Sequence, residues 1–180
     1  MSAEDLEEKK KTAVETLTKE WDILKNSCLL SQIGCTAGPQ IIKRNKNDEG
    51  KMKPIYNMFK WNALMRGPKK TPYDGYMFKF EITYPENYPE SAPTVTCKSN
   101  IYHMNISSSG DVCVTSIKEK NGWANAGDIS TVLLSIFVIL GKPNTKSPYR
   151  SALAELYKND QKKYEENARE ECKKNAIKIS

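Results

Sequence analysis

The spacing of apolar residues changes period several times along the chain. In "SAEDLEEKKKTAVETLTKEWDILKN", Val14, Leu17, Trp21 and Leu24 recur at three- and four-residue steps, which puts them on one face of a helix whose other face is charged. Ser2 followed three residues later by Asp5 has the form of a capping box at its start, and Cys28 continues the same face past Leu24. The period is then lost. "TAGPQ" is turn-like and "KRNKNDEGKMK" reads as an exposed polar loop within 40–53. Met58 to Met65 is a short aromatic and apolar strand that "RGPKKTPYDG" ends. Tyr76, Phe78, Phe80 and Ile82 then alternate with Met77, Lys79, Glu81 and Thr83, a period of two that predicts an antiparallel strand with one buried face. "PENYPESAP" cannot continue a central strand, and "TVTCKS" alternates again with Val95 and Cys97 on one side. Three or four strands in succession with short turns make a meander.

After Cys113 the pattern becomes helical. "GDISTVLLSIFVILGKP" is apolar on nearly every side, so it predicts a buried helix, with Asp128 as N-cap, Gly141 at C′ and Pro143 just beyond. "SPYRSALAELYKNDQKKYEENAREECKK" opens with Ser147 as N-cap and Pro148 at N1; Leu153, Leu156, Tyr157, Asp160 and Tyr164 form one stripe in which only Asp160 is polar. Strands grouped together and helices at both ends predict an α+β fold with helices packed on one sheet.

Composition narrows the chemistry. The 180 residues suit one domain, and 38% hydrophobic residues clustered in periodic runs can supply a core. The net charge of +6 suggests acidic partners, but the cations are scattered apart from Lys9 to Lys11 and Lys43 to Lys46, which disfavours nucleic-acid binding. The longest apolar run, Val132 to Leu140, is too short to span a bilayer, so no membrane association is expected. Cysteines at 28, 35, 97, 113 and 172 are odd in number and form no C-x-x-C pair, and no secretory leader precedes them; they read as reduced thiols of the cytoplasm or nucleus. One histidine and widely spaced cysteines lack zinc-site spacing.

Cys97 reads as a small core residue, while Cys35 and Cys172 lie in polar surroundings without a motif. Cys113 differs, because it follows a Gly-Asp turn in "IYHMNISSSGDVCVTS". A cysteine hydrolase would need a histidine beside the thiol and a third group to orient it. His103 is the only histidine in the chain, ten residues from Cys113, and beside Tyr102 it reads more readily as a ring bonded to a nearby turn. What remains is a thiol that need not be strongly activated, for example one that receives an acyl group activated elsewhere.

The order of "MFKW", "GP", "TPYDG", "FEITYPENYPESAP", "IYHMN", "GDVC", Trp123, "VLLSI", "PN", "SP" and "YKNDQKKYEENA" resembles the ubiquitin-conjugating (E2) family over about two thirds of the chain. That family carries a tyrosine-histidine-proline-asparagine segment before its active-site cysteine, and here Asn105 stands eight residues before Cys113. The resemblance implies a core domain at 12–172, an extension of the first helix at 1–11 and a tail at 173–180. It implies that Cys113 takes ubiquitin or a ubiquitin-like modifier from an activating enzyme as a thioester and passes it to a lysine amine or a ligase. No cofactor is bound directly, since ATP is used by the activating enzyme. Asn105 is expected to stabilise the thioester oxyanion or to support the loop. His103 and Tyr102 are expected to be structural, and Ser147 to stand at the family's gate for the incoming lysine. Lys19, Glu90, Asn125 and Ala126 are expected to meet partner proteins, Glu90 replacing an apolar ligase-contact residue. Met104 replaces the family's proline, Thr115 a common acidic residue and Thr16 a basic one, and the Cys113–Trp123 spacing is two residues longer than usual. The alternatives are a catalytically weak E2-like scaffold and a conjugating enzyme for a NEDD8-like modifier.

Overall fold

The computed structural model describes residues 2–47, 50–112, 123 and 127–179. Helix α1 runs from Ala3 to Lys25. Its start is the expected capping box: Asp5 N–H donates to Ser2 Oγ at 3.1 Å and Ser2 N–H to Asp5 Oδ2 at 2.7 Å. Ala13, Leu17 and Leu24 form the buried line, with Val14 and Trp21 at its margins. Trp21 meets Tyr56 edge-on, ring centroids 4.8 Å apart. Cys28 does not extend this face. Ser27 caps a new short helix, α2 (Cys28–Gln32), on which Cys28 is exposed.

The expected polar loop at 40–53 is a strand pair. β1 (Cys35–Lys46) and β2 (Met52–Arg66) are antiparallel from Cys35↔Met65 to Lys46↔Met52, so "TAGPQ" is strand and β2 is much longer than its aromatic portion. Polar residues form strands here because the pairing is made by backbone groups and asks little of the side chains. Irregularities lie between Pro39 and Gln40 and between Ile41 and Lys43.

β3 (Tyr76–Thr83) pairs with β2 on one side and with β4 (Thr94–Cys97) on the other, completing the predicted meander β1-β2-β3-β4. The inward set of the alternation, Phe78, Phe80 and Ile82, is buried. Two tail residues add a fifth strand, β5 (Ile177–Lys178), beside Tyr76 and Met77.

α3 (Ile129–Gly141) has Asp128 as its N-cap, accepting from Thr131 N–H at 2.9 Å. Its end differs from expectation: Gly141 is the last helical residue and Lys142 the C-cap. Six of its residues are buried, five of them in the main core, but Val138 is 56% exposed, so the helix has one wet side. The predicted long C-terminal helix is two. α4 (Ser151–Asn159) is preceded by Arg150, which makes no side-chain cap, and Ser147 is not a cap at all. Asp160, the one polar residue in the stripe, breaks the helix and caps α5 (Gln161–Asn175) by accepting from Lys163 N–H at 2.9 Å.

One core joins Leu17, Trp61, Phe80, Val132 and Ile136 between α1, the sheet and α3. A second, smaller cluster gathers Met104, Leu153, Ala154 and Tyr164. Cys35 and Cys172 are buried in the main core, despite polar sequence neighbours, as is Cys97. Burial pushes their thiols up to about 12, about 12 and about 11 respectively.

Candidate active site

The segment leading to Cys113 is laid along β4. Cys97 N–H donates to Gly110 O at 2.7 Å, Thr96 bridges to Asp111, and Val112 bridges to Ile106. Gly110 is required: its φ is +91° and a Cβ there would lie 2.2 Å from Cys97 O. Ser107 and Ser109 close the preceding turn by donating to Asp111 Oδ2 at 3.1 and 2.7 Å. The chain is therefore fixed up to Val112. Cys113, Thr115, Asn125 and Ala126 lie outside the described residues.

His103 is fully buried and both ring nitrogens are engaged. Nε2 meets Ile139 O at 3.1 Å, and Nδ1 accepts from Asn105 N–H at 3.0 Å, which makes the Nε2 contact the donating one. Burial lowers its pKa to about 4, with the Arg150 charge acting in the same direction and the Ile139 carbonyl opposing it. A neutral ring with no free nitrogen is a strut between the loop and the end of α3. It is not placed to take a proton from a thiol.

Asn105 is also fully buried, and its amide ties two loops together. Nδ2 donates to Asn144 O at 2.7 Å and to Ser147 O at 3.3 Å, while Oδ1 accepts from Asn144 N–H at 2.9 Å. Both donors are thus spent on carbonyls of the α3–α4 connection. That connection carries Ser147, whose side chain is exposed. The structure therefore brings together three of the expected residues, His103, Asn105 and Ser147. It adds Asn144, whose backbone carbonyl and N–H both meet the Asn105 amide.

Met104 stands between the two struts and does work a proline could not. Its N–H donates to Tyr164 Oη at 3.3 Å. Its carbonyl accepts from Tyr149 N–H at 2.9 Å and Arg150 N–H at 3.1 Å. Its side chain is fully buried against Leu153, Ala154 and Tyr164. The turn is held by these contacts to α4 and α5 in place of a ring constraint on φ. Tyr102 belongs to the same joint: its carbonyl accepts from Tyr73 Oη at 2.7 Å, its hydroxyl accepts from Asn167 Nδ2 at 3.3 Å, and the Arg150 guanidinium lies 5.4 Å from its ring centroid. Tyr73 was legible only as part of a turn and Tyr164 only as one position of an apolar stripe; their hydroxyl partners lie 29 and 60 residues away.

Of the residues expected at protein interfaces, Lys19 is exposed on α1, and Glu90 is tied to α1 by an ion pair with Lys9 at 2.9 Å. That pair holds the Glu90 carboxyl below the usual range. Lys10 pairs with Glu86 at 2.8 Å. Thr16 donates its hydroxyl to Thr12 O in its own helix at 2.9 Å. Glu20 accepts from Tyr88 Oη, whose ring packs on Trp123, and Trp123 Nε1 donates to Pro89 O at 2.6 Å. Burial raises the Glu20 carboxyl above its ordinary value, partly offset by the Tyr88 hydroxyl. Among the described residues there is no cluster of three or more potential metal ligands, and no helix is long and apolar enough to cross a membrane.

Comparison with known proteins gives this geometry a family. The family description "Ubiquitin-conjugating enzyme" matches residues 37–172. The chain is 40% identical over 114 residues to a probable ubiquitin-conjugating enzyme E2 31 of Arabidopsis thaliana, covering 63% of this chain and 73% of the plant protein. It is 38% identical over 117 residues to a probable ubiquitin-conjugating enzyme E2 L460 of Acanthamoeba polyphaga mimivirus, covering 65% and 73%.

Proposed function

The chain belongs to the ubiquitin-conjugating enzyme family, a family of transferases that work with ubiquitin, activating enzymes and ligases, and from that premise we propose that Cys113 is its thioester-forming residue. The Cys113 thiolate attacks the thioester of a modifier on an activating enzyme, and the activating enzyme's thiol leaves. A lysine amine or a ligase thiol then attacks the new thioester carbonyl, and the Cys113 thiol is released. The acyl group arrives activated by ATP spent upstream, so no strong base is needed beside the cysteine, consistent with a buried, neutral His103.

The observation that carries this reading is the bridge made by Asn105. It fixes the loop before Cys113 to the connection bearing Ser147, across about forty residues of sequence. Catalysis of this kind depends on holding the acceptor and the thioester in a fixed relation, and small misplacements are expensive. With both donors committed, Asn105 acts by supporting this geometry. Ser147 orients the approaching lysine from an exposed position, and exposed Lys19 and Glu90 serve protein contacts.

The test is incubation with activating enzyme, ATP and a panel of ubiquitin and NEDD8-like modifiers, read on gels with and without reducing agent. A reducible adduct is expected with one modifier, absent in Cys113→Ala. Asn105→Ala is expected to load but to discharge slowly to free lysine. Absence of an adduct with every modifier would leave only a binding scaffold.

A further inference from the structure

The β1–β2 pair outgrows the sheet that supports it. β2 pairs with β3 only from Lys60↔Thr83 to Arg66↔Met77, whereas β1 and β2 stay paired to Lys46↔Met52. The last six or so residue pairs project as a two-stranded arm roughly 20 Å long. Its base is held by Trp21 against Tyr56. Beyond that contact, Ile41, Ile42 and Met52 are exposed by 46%, 63% and 53%. Such a ribbon is marginal by itself in water, and exposed aliphatic side chains add to its cost.

The arm is also basic. The stretch 40–57 carries Lys43, Arg44, Lys46, Lys51 and Lys53 against Asp48 and Glu49, and the edge-strand part, 40–46, has three cations and no carboxylate. Three of these cations lie on β1, which is the edge strand, so its outer backbone groups face away from the sheet. Among the described residues, Lys43, Arg44 and Lys46 form no ion pair. Lysines and bulges on an edge strand ordinarily discourage pairing between copies. That protective role does not account for two exposed isoleucines on the same strand.

We propose that the outer edge of β1, from Gln40 to Lys46, docks an acidic extended segment of a partner protein by adding it as a strand. Backbone pairing supplies affinity without demanding a particular sequence. The cations of β1 select carboxylates on the incoming strand, and Ile41 and Ile42 select apolar residues between them. The arm's exposed apolar side chains are aliphatic, which fits a protein strand better than the aromatic stacking that unpaired bases require.

The experiment uses the full chain and a fluorescent peptide of alternating Glu and Val, with a Lys-Val peptide as control. Anisotropy is expected to show binding of the acidic peptide alone. Amide hydrogen exchange is expected to slow within 40–46. The triple variant K43E/R44E/K46E, checked by circular dichroism, is expected to weaken binding at least about tenfold, and added salt to weaken it for the unaltered protein. If the triple variant misfolds, Arg44→Glu and the exchange map carry the same test. Equal binding of both peptides, binding without protection of β1, or no binding would overturn the proposal. So would tighter binding of oligothymidylate or of phosphatidylserine-containing vesicles, which would assign the arm to nucleic acid or lipid.

Discussion

At the scale of single residues, His103 shows how burial chooses a role. The imidazole keeps its proton on Nε2 for Ile139 O and uses Nδ1 to receive Asn105 N–H. In the folded chain it stays neutral down to about 4, whereas the unfolded chain takes up a proton at the ordinary 6.5. Between those values the unfolded state binds more protons, so stability is fully present above 6.5 and is lost as the pH falls toward 4. The loss amounts to roughly 3 kcal/mol for this group. Urea unfolding midpoints measured from neutral pH downward are expected to fall through this window. His103→Gln is expected to lower stability at neutral pH and to flatten that part of the profile. An unchanged slope in the variant would place the acid sensitivity on other groups.

At the scale of elements, the site loop depends on two helices that lie well after it in sequence, the contacts to Met104 coming from Tyr149, Arg150 and Tyr164. Met104 N–H donates to a hydroxyl on α5, and the Met104 carbonyl receives the two amides that lead into α4. The two short helices exist because Asp160 caps the second of them, and the break lets Tyr164 turn toward the loop beside Leu153. Tyr164→Phe keeps the ring but strands a buried N–H, at a cost of about 1–3 kcal/mol. Thermal or denaturant unfolding measures that loss. Hydrogen exchange at Met104 is expected to accelerate selectively; uniform acceleration across the chain would show that the hydroxyl serves only global stability.

Across the whole molecule, one core between α1, the sheet and α3 decides which thiols meet water. Cys35, Cys97 and Cys172 are sealed in it with thiols raised by burial, while Cys28 is exposed. Because the thiolate is the reactive form, iodoacetamide under native conditions is expected to modify Cys28 and, as the proposed nucleophile, Cys113. Labelling of the other three is expected only on unfolding, as followed by peptide mass spectrometry. Early labelling of Cys172 would mean that α5 opens in the native state. The ion pairs Lys9–Glu90 and Lys10–Glu86 fasten the start of α1 to the loop after β3, but at exposed positions they add little stability.

The sequence alone determined the parts whose cause is local. The 3.6-residue stripe with Ser2 and Asp5 marks α1, the strict alternation marks β3, and Asp128 before an apolar run marks α3. The order of motifs around Asn105 and Cys113 was enough to indicate the family that the comparisons show. Tertiary structure decided what depends on distant partners. Residues 40–46 lack a hydrophobic period, and they are a strand because 52–57 lie beside them. Ser147 and Pro148 have the local form of a helix start, yet the helix begins at Ser151, the intervening backbone being drawn to Asn105 and Met104. Cys35 and Cys172 have polar neighbours in sequence and apolar ones in space. His103 and Asn105 were named in advance, but their partners lie 36 and 39 residues away. A periodic pattern reports which face of an element is wet. Only the packing of several elements determines which carbonyl a buried amide or imidazole will meet.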